Sequence, residues 1–369
     1  MKKLFQLLGI EQTKGDVGVE IECEGENMEE INTKFWRCED DGSLRGEYPN
    51  GRCEYIFKNP TAIKDVPVAL TQLADHLSDA ELAFSHRCSV HVHLNAQELT
   101  ITQLMNLVYT YLILEEPLMT FCGKKRKGNN FCLRLSDAEG MLQLINNMFI
   151  HGEECFQYFE RDMYRYSAMN LEALKKYGSV EFRGMEGNLD IERLSSWCNV
   201  LVALRTYAAS VQSPEHIYEE YANAGPLAFM DRVFGEHSVL LYYPKAVRDI
   251  QRGFSLSLDL PFIYKANKEN HKVPEWDGEL SINDVVDYNS AVEIIAAGGQ
   301  VKEKAYPHYI VTQLPKRAIK GQLVIVKKAP KKKPLKIDMA NFIAAPALPA
   351  LNFNIEEINL DDENHPENW

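Results

Sequence analysis

Three short stretches place ionisable side chains two residues apart. Val17-Gly18-Val19-Glu20-Ile21-Glu22-Cys23-Glu24, read at the two-residue period of a strand, sets Val19, Ile21 and Cys23 on one face and Glu20, Glu22 and Glu24 on the other. Ser89-Val90-His91-Val92-His93-Leu94-Asn95 sets His91, His93 and Asn95 opposite three aliphatic residues, and Ser179-Val180-Glu181-Phe182-Arg183 sets Glu181 and Arg183 opposite Val180 and Phe182. If these strands share a sheet, their polar faces form one site. Glu20, Glu22, Glu181 and Glu54 on one concave surface would repel one another and raise each other's pKa unless a cation sat among them. Oxygen ligands with one or two histidines favour magnesium or manganese over zinc. Arg183 shares the face of Glu181, where its planar fork suits a phosphate oxygen. Carboxylates, a hard cation and an arginine together suggest phosphoryl transfer from a nucleotide.

The elements that must position these residues are legible along the chain. Phe35 to Leu44 reads as a strand end followed by an Asp41-Gly42 turn, and Arg52 to Phe57 as a further strand with Glu54 and Ile56 on one face. The spacing of Val66, Leu70, Leu73, Ala74 and Leu77 predicts a helix from Asp65, which is placed to cap it. Thr100-Ile101-Thr102-Gln103 matches a capping box for a helix reaching about Glu116, and Ser136-Asp137-Ala138-Glu139 matches a second, opening a helix through Phe149. Lys124 to Lys127 is a basic loop. Asp190 is placed to cap a helix carrying Leu194, Trp197, Cys198, Leu201 and Leu204 on one side. Strands that expose a polar face predict an α+β fold with a curled, largely antiparallel sheet backed by helices, rather than a doubly wound parallel sheet. Neither G-x-x-x-x-G-K-[ST] nor G-x-G-x-x-G is present.

The 369-residue chain, 45% hydrophobic and 25% charged, has the composition of a globular protein with ample core. No apolar run approaches the ~20 residues needed to span a bilayer, and the opening Met1 to Ile10 reads as a helical turn rather than a signal peptide. A net charge of -13 argues against generic nucleic-acid binding. The eight cysteines are scattered with no C-x-x-C pair, so neither a zinc ribbon nor a disulfide framework is expected, and a cytoplasmic setting fits best. Residues 1–213 are expected to form the catalytic domain and 214–326 a mixed helix and strand extension. Residues 327–369 are expected to be a basic linker, Lys327 to Pro334, and an acidic flexible tail that could dock a partner protein.

In chain order, Gly18 to Glu22, then Asp41-Gly42-Ser43-Leu44 followed by Glu54 and Pro60, then His91-Val92-His93, then Arg165 to Asn170, then Ser179 to Arg183 and a helix bearing Trp197, resemble the amidoligase family. These are glutamine synthetase-like carboxylate–amine ligases related to glutamate–cysteine ligase. The resemblance spans residues 15 to 210. It implies an antiparallel half-barrel sheet with helices behind it, and ATP with magnesium on the concave face. It further implies Glu20, Glu22, Glu54, His93 and Glu181 as metal ligands, with His91 ranked below His93, and Arg183 on the transferred phosphate beside Glu181. Arg165 and Asn170, with Lys125 and Arg126 of the basic loop, are candidates for nucleotide contact. The family's sheet glutamate is closely followed by a proline, whereas Pro60 lies further from Glu54, so Glu47 is an alternative ligand.

The expected reaction is amide formation between a small-molecule or peptide carboxylate and an amine, driven by ATP. The carboxylate attacks the γ-phosphate, and the amine displaces phosphate from the resulting acyl phosphate. Family members are frequent in phages and bacteria, so a phage-encoded protein would act in the host cytoplasm. Two other readings are a guanidino kinase-like phosphotransferase and a non-catalytic binding or virion-associated protein that keeps the fold.

Overall fold

The computed structural model describes residues 1–44, 51–159 and 166–270, and beyond them 282–283, 285–286, 294, 299–305 and 308–314. Its main sheet is built from β1 (Val17–Glu26), β2 (Trp36–Glu39), β3 (Arg52–Phe57), β4 (Glu81–Ala83), β5 (Ser89–Asn95), β6 (Met169–Asn170) and β7 (Ser179–Glu186), in the order β2-β3-β1-β5-β7-β6 with β4 pairing β1. Every pairing in it is antiparallel. The fold is therefore α+β with an antiparallel sheet, as the polar-faced strands predict.

Alternation decides which way each strand faces. Val17, Val19, Ile21 and Cys23 on β1, Val90, Val92 and Leu94 on β5, and Val180 and Phe182 on β7 are all buried in one apolar layer. The helices that cover this layer are α2 (Val66–His76), α3 (Ile101–Cys122) and α6 (Ile191–Ser210), following a short α1 (Leu4–Leu8). Phe182 meets Tyr111 of α3 and Trp197 of α6 at ring-centroid distances of 5.5 and 6.4 Å. The remaining helices of this part of the chain are α4 (Glu139–His151), α5 (Ala173–Tyr177), α7 (Pro214–Ala224), α8 (Pro226–Phe234), α9 (Ala246–Leu256) and α10 (Asp259–Asn270). Tyr221 of α7 stacks on Phe254 of α9 at 3.9 Å.

Three expected helix starts hold and one shifts. The Thr100–Gln103 capping box forms, and Asp190 accepts the Arg193 N–H at 3.0 Å. Asp65 makes no side-chain cap, because a 3-10 turn over Ile63–Asp65 leads into α2. The second capping box is not made: Ser136 Oγ donates to Asp137 instead, and α4 starts at Glu139. Helix α3 also runs past Glu116 to Cys122, with Pro117 inside it. Proline removes the N–H that would meet the Ile113 carbonyl. Gly253 of α9 packs there so closely that a Cβ would stand 2.5 Å from that oxygen.

The cysteine expectation is corrected at one pair. Cys38 and Cys53 are joined in a disulfide between β2 and β3, while Cys23, Cys88, Cys122, Cys132, Cys155 and Cys198 are free and buried. Scattered positions hid a pair that only strand pairing brings together.

Contacts divide the chain into two compact units, one of residues Met1–Glu275 with Ala305–Pro307, the other of Trp276–Lys304 with His308–Trp369. The second unit holds a three-stranded sheet in the order β8 (Val285–Val286), β10 (His308–Gln313), β9 (Gln300–Ala305). The basic linker and the acidic tail lie outside the described residues, as do Glu47 and Arg165. Among the described residues no helix is long and apolar enough to cross a membrane.

Candidate active site

Strand register assembles the polar side chains. Glu22 stands opposite Glu54, Glu20 opposite His91, and His93 opposite both Gly18 and Glu181. Asn170 on the short β6 stands opposite Glu181. These residues occupy the face of the sheet turned away from the helices, yet they are not solvated: Glu22 is 5%, His91 2% and Glu181 6% exposed. Burial on this scale requires each charge to find partners.

The partners form a continuous network. Glu20 takes one hydrogen bond from each histidine, with His91 Nδ1 at 3.1 Å from Oε2 and His93 Nε2 at 3.1 Å from Oε1. His93 Nδ1 lies 3.0 Å from Ser179 Oγ. His91 Nε2 lies 2.8 Å from Ser89 Oγ, and that hydroxyl and the Ser89 N–H donate to Glu22 Oε2 at 2.5 and 2.8 Å. Glu181 accepts from Asn170 Nδ2 at 2.7 Å and from Arg183 Nη1.

Electrostatics separates the carboxylates. Burial alone would raise Glu20, but the hydrogen bonds and charges of His91 and His93 outweigh it and hold its carboxyl well below the usual range. Glu181 is likewise lowered, burial being overcome by Arg183, His93 and His91. Glu54 has no such donors among the described residues: burial, then the charges of Glu20, Glu22, Asp41 and Glu39, push its carboxyl up to about 9. His93 is raised, because Glu20 and Glu181 outweigh its desolvation.

These shifts predict a pH dependence. A group whose folded pKa is raised gives stability that is complete below its unfolded pKa and is lost as pH rises through the folded value. Glu54, Glu115 (raised by burial to about 7) and His93 all act in this sense, while His151, lowered by burial, opposes them. Chelator-treated protein should therefore lose urea stability between about pH 5 and pH 9. A rise across that interval would contradict the arrangement.

Among the described residues, two groups of side chains have the reach to hold a cation. Glu20, Glu54 and His91 offer ligand atoms within 4.8 Å of one another, and so do Glu20, His93 and Glu181. Glu20 belongs to both. A cleft of about 220 Å³ lies over the first group, bordered by Glu22, Asp41, Ser43, Arg87, Phe131, Tyr166 and Arg183. A second cleft meets it at Glu20, is lined by His93, and runs between Ile56, Phe57, Pro60 and Tyr177 towards Arg37 and Lys58. Gly18 opens this second cleft, because alternation puts residue 18 on the site face and any larger side chain there would occupy the space.

Of the residues expected from sequence, Glu20, Glu22, Glu54, His93, Glu181, Arg183 and Asn170 converge here. Lys125 and Arg126 do not border either cleft: Lys125 Nζ donates to the Phe84 carbonyl at 3.2 Å, and Arg126 is turned inwards. His91 joins the same network: it touches Glu20 and Ser89 and lies 3.5 Å from Glu181. Ser89, Arg87 and Gly18 were missed. Ser89 carried a readable signal, because it precedes His91 by two residues and so shares its face.

Residues 59–205 match the model of a family described as putative amidoligase enzyme. Over those residues the chain is amidoligase-like. This supports the resemblance drawn from the ordered motifs and points to a ligase. The amidoligase-like stretch contains His91, His93, Asn170, Glu181 and Arg183, whereas Glu20, Glu22 and Glu54 precede it and join the site through strand pairing. No curated protein matches the chain.

Proposed function

We propose that this amidoligase-like chain is an ATP- and magnesium-dependent ligase that joins a carboxylate to an amine through an acyl phosphate. The observation that carries the reading is that two clefts of different character meet at Glu20, the carboxylate common to both cation-competent groups. A ligase of this kind must bring a nucleotide and a second reactant to one phosphoryl group, and two adjoining clefts fit that need.

The donor set fits magnesium. Glu54 is pushed up by burial and then by the charges of the carboxylates around it, and carboxylate oxygens are the ligands magnesium takes. Glu20, Glu54 and His91 would hold one ion, and Glu20, His93 and Glu181 another. Bound there, magnesium would neutralise phosphate oxygens and draw electron density from the group being transferred.

The chain's own residues orient the reactants. Arg183 projects over the first cleft, where its guanidinium would donate to the phosphoryl group as charge spreads over its oxygens. Glu181 holds Arg183, and Asn170 holds Glu181. The carboxylate substrate would enter by the Gly18 cleft, its oxygen attacking the γ-phosphorus as the bond to ADP breaks. The amine nitrogen would then attack the acyl carbon and expel phosphate, losing a proton. A rise in melting temperature on adding magnesium with ATP is expected by mass action on the folded state. No shift at saturating nucleotide would sink the reading and favour a binding protein.

A further inference from the structure

Arg126 is 1% exposed, in the middle of the basic loop, while Lys124, Lys125 and Lys127 on either side of it are exposed. An arginine buried so deeply remains charged and carries five donors. Its Nη2 donates to the main-chain carbonyl of Arg183 at 2.9 Å. Its Nε and Nη1 are buried without a hydrogen-bond partner among the described residues. A buried charge held this sparingly is costly and calls for an account.

The account lies in the sheet. Between β5 and β7 the register passes from Val92–Phe182 to Val90–Met185, so β7 carries one extra residue at Arg183-Gly184. A bulge of this kind re-aims the side chain it carries and interrupts the ladder. On the other side of β7, β6 is only Met169–Asn170, and the Ala168 carbonyl just before it takes the Arg183 N–H at 2.8 Å. The Ala168 N–H that would complete the pair donates instead to the Leu133 carbonyl at 2.8 Å, so the Arg183 carbonyl needs another donor. Arg126 supplies it. Gly184 is pressed against α3, where a Cβ would stand 2.4 Å from Met119 Sδ, so the bulge has little freedom on that side.

We propose that Arg126 is a positioning residue: its buried guanidinium stands in for the missing edge strand, fixes the bulge at Arg183, and so aims the Arg183 side chain across the cleft. This rests on the ligase reading for its functional consequence, and on geometry alone for its structural one. The basic loop is thereby tied to the active site through a main-chain contact rather than by touching nucleotide.

The test is a double-mutant cycle read by binding of magnesium with ATP, with a crystal structure of Arg126→Met. In the wild-type background Arg126→Met should weaken binding about tenfold, the cost of removing a charged donor from a buried acceptor. In an Arg183→Gln background it should cost almost nothing further, since nothing remains to be aimed. Arg126→Lys, which keeps the charge and a donor, should restore most of the loss and also covers the case in which the methionine variant fails to fold. Equal losses in both backgrounds would overturn the proposal, because a general structural role adds independently. If the wild-type protein binds no nucleotide, the ligase reading fails separately and the crystal structure decides: Arg183 swung away from Glu181 in the variant supports the proposal, and Arg183 unmoved overturns it.

Discussion

Replacing Glu20 with glutamine is expected to abolish both ATP turnover and the stabilising response to magnesium, with a loss of turnover of at least about 10³-fold. Both cation-competent groups contain this carboxylate, so one substitution removes a charged ligand from each. The glutamine keeps the volume and can still accept from one histidine, so the sheet should remain folded. His93 is raised chiefly by Glu20 against the pull of burial, and its pKa should fall in the variant. Circular dichroism with and without magnesium, alongside ADP release, checks the fold, the magnesium response and the turnover together. A variant that folds and still responds to magnesium would remove Glu20 from the centre of the site.

Arg183→Gln should fail differently. Turnover is expected to fall by about 10² to 10³-fold, the usual cost of losing one preorganised charge at a phosphoryl group. The response to magnesium alone should survive, since the ligand atoms of Glu20, His93 and Glu181 stay in place. Glu181 would lose the partner that does most to hold its carboxyl low against burial, so the variant should bind magnesium more weakly at acid pH than the wild type. Measuring magnesium affinity and ATP turnover on the same preparations separates the two variants. Parallel loss of both properties in each would mean that Arg183 supports the fold rather than the phosphate.

Much of the site was readable because a strand's two-residue period sorts side chains without reference to anything distant. Glu20, Glu22, His91, His93, Glu181 and Arg183 all lie on the face that alternation assigned them. What alternation cannot read is register across strands. It gave no warning that Cys38 and Cys53 would meet, that His91 would lie between Glu20 and Glu181, or that a bulge would fall at Arg183-Gly184. The basic loop misled for a related reason. Four consecutive cations read as a solvated, anion-seeking surface, yet one of them is taken inside by a carbonyl far along the chain. The Ser136 capping box failed because Ser136 found a nearer acceptor in Asp137, a competition that short polar side chains often enter.

The most direct measurement of the ligase reading is ADP release with magnesium and ATP against pooled amino acids, small peptides and polyamines, with mass spectrometry of the products. The account predicts a new mass equal to two substrates less water, formed with ADP and phosphate and absent when Glu20→Gln protein is used. A phosphorylated compound that persists, with no amine-dependent release of phosphate, would contradict it and assign the chain to phosphotransfer.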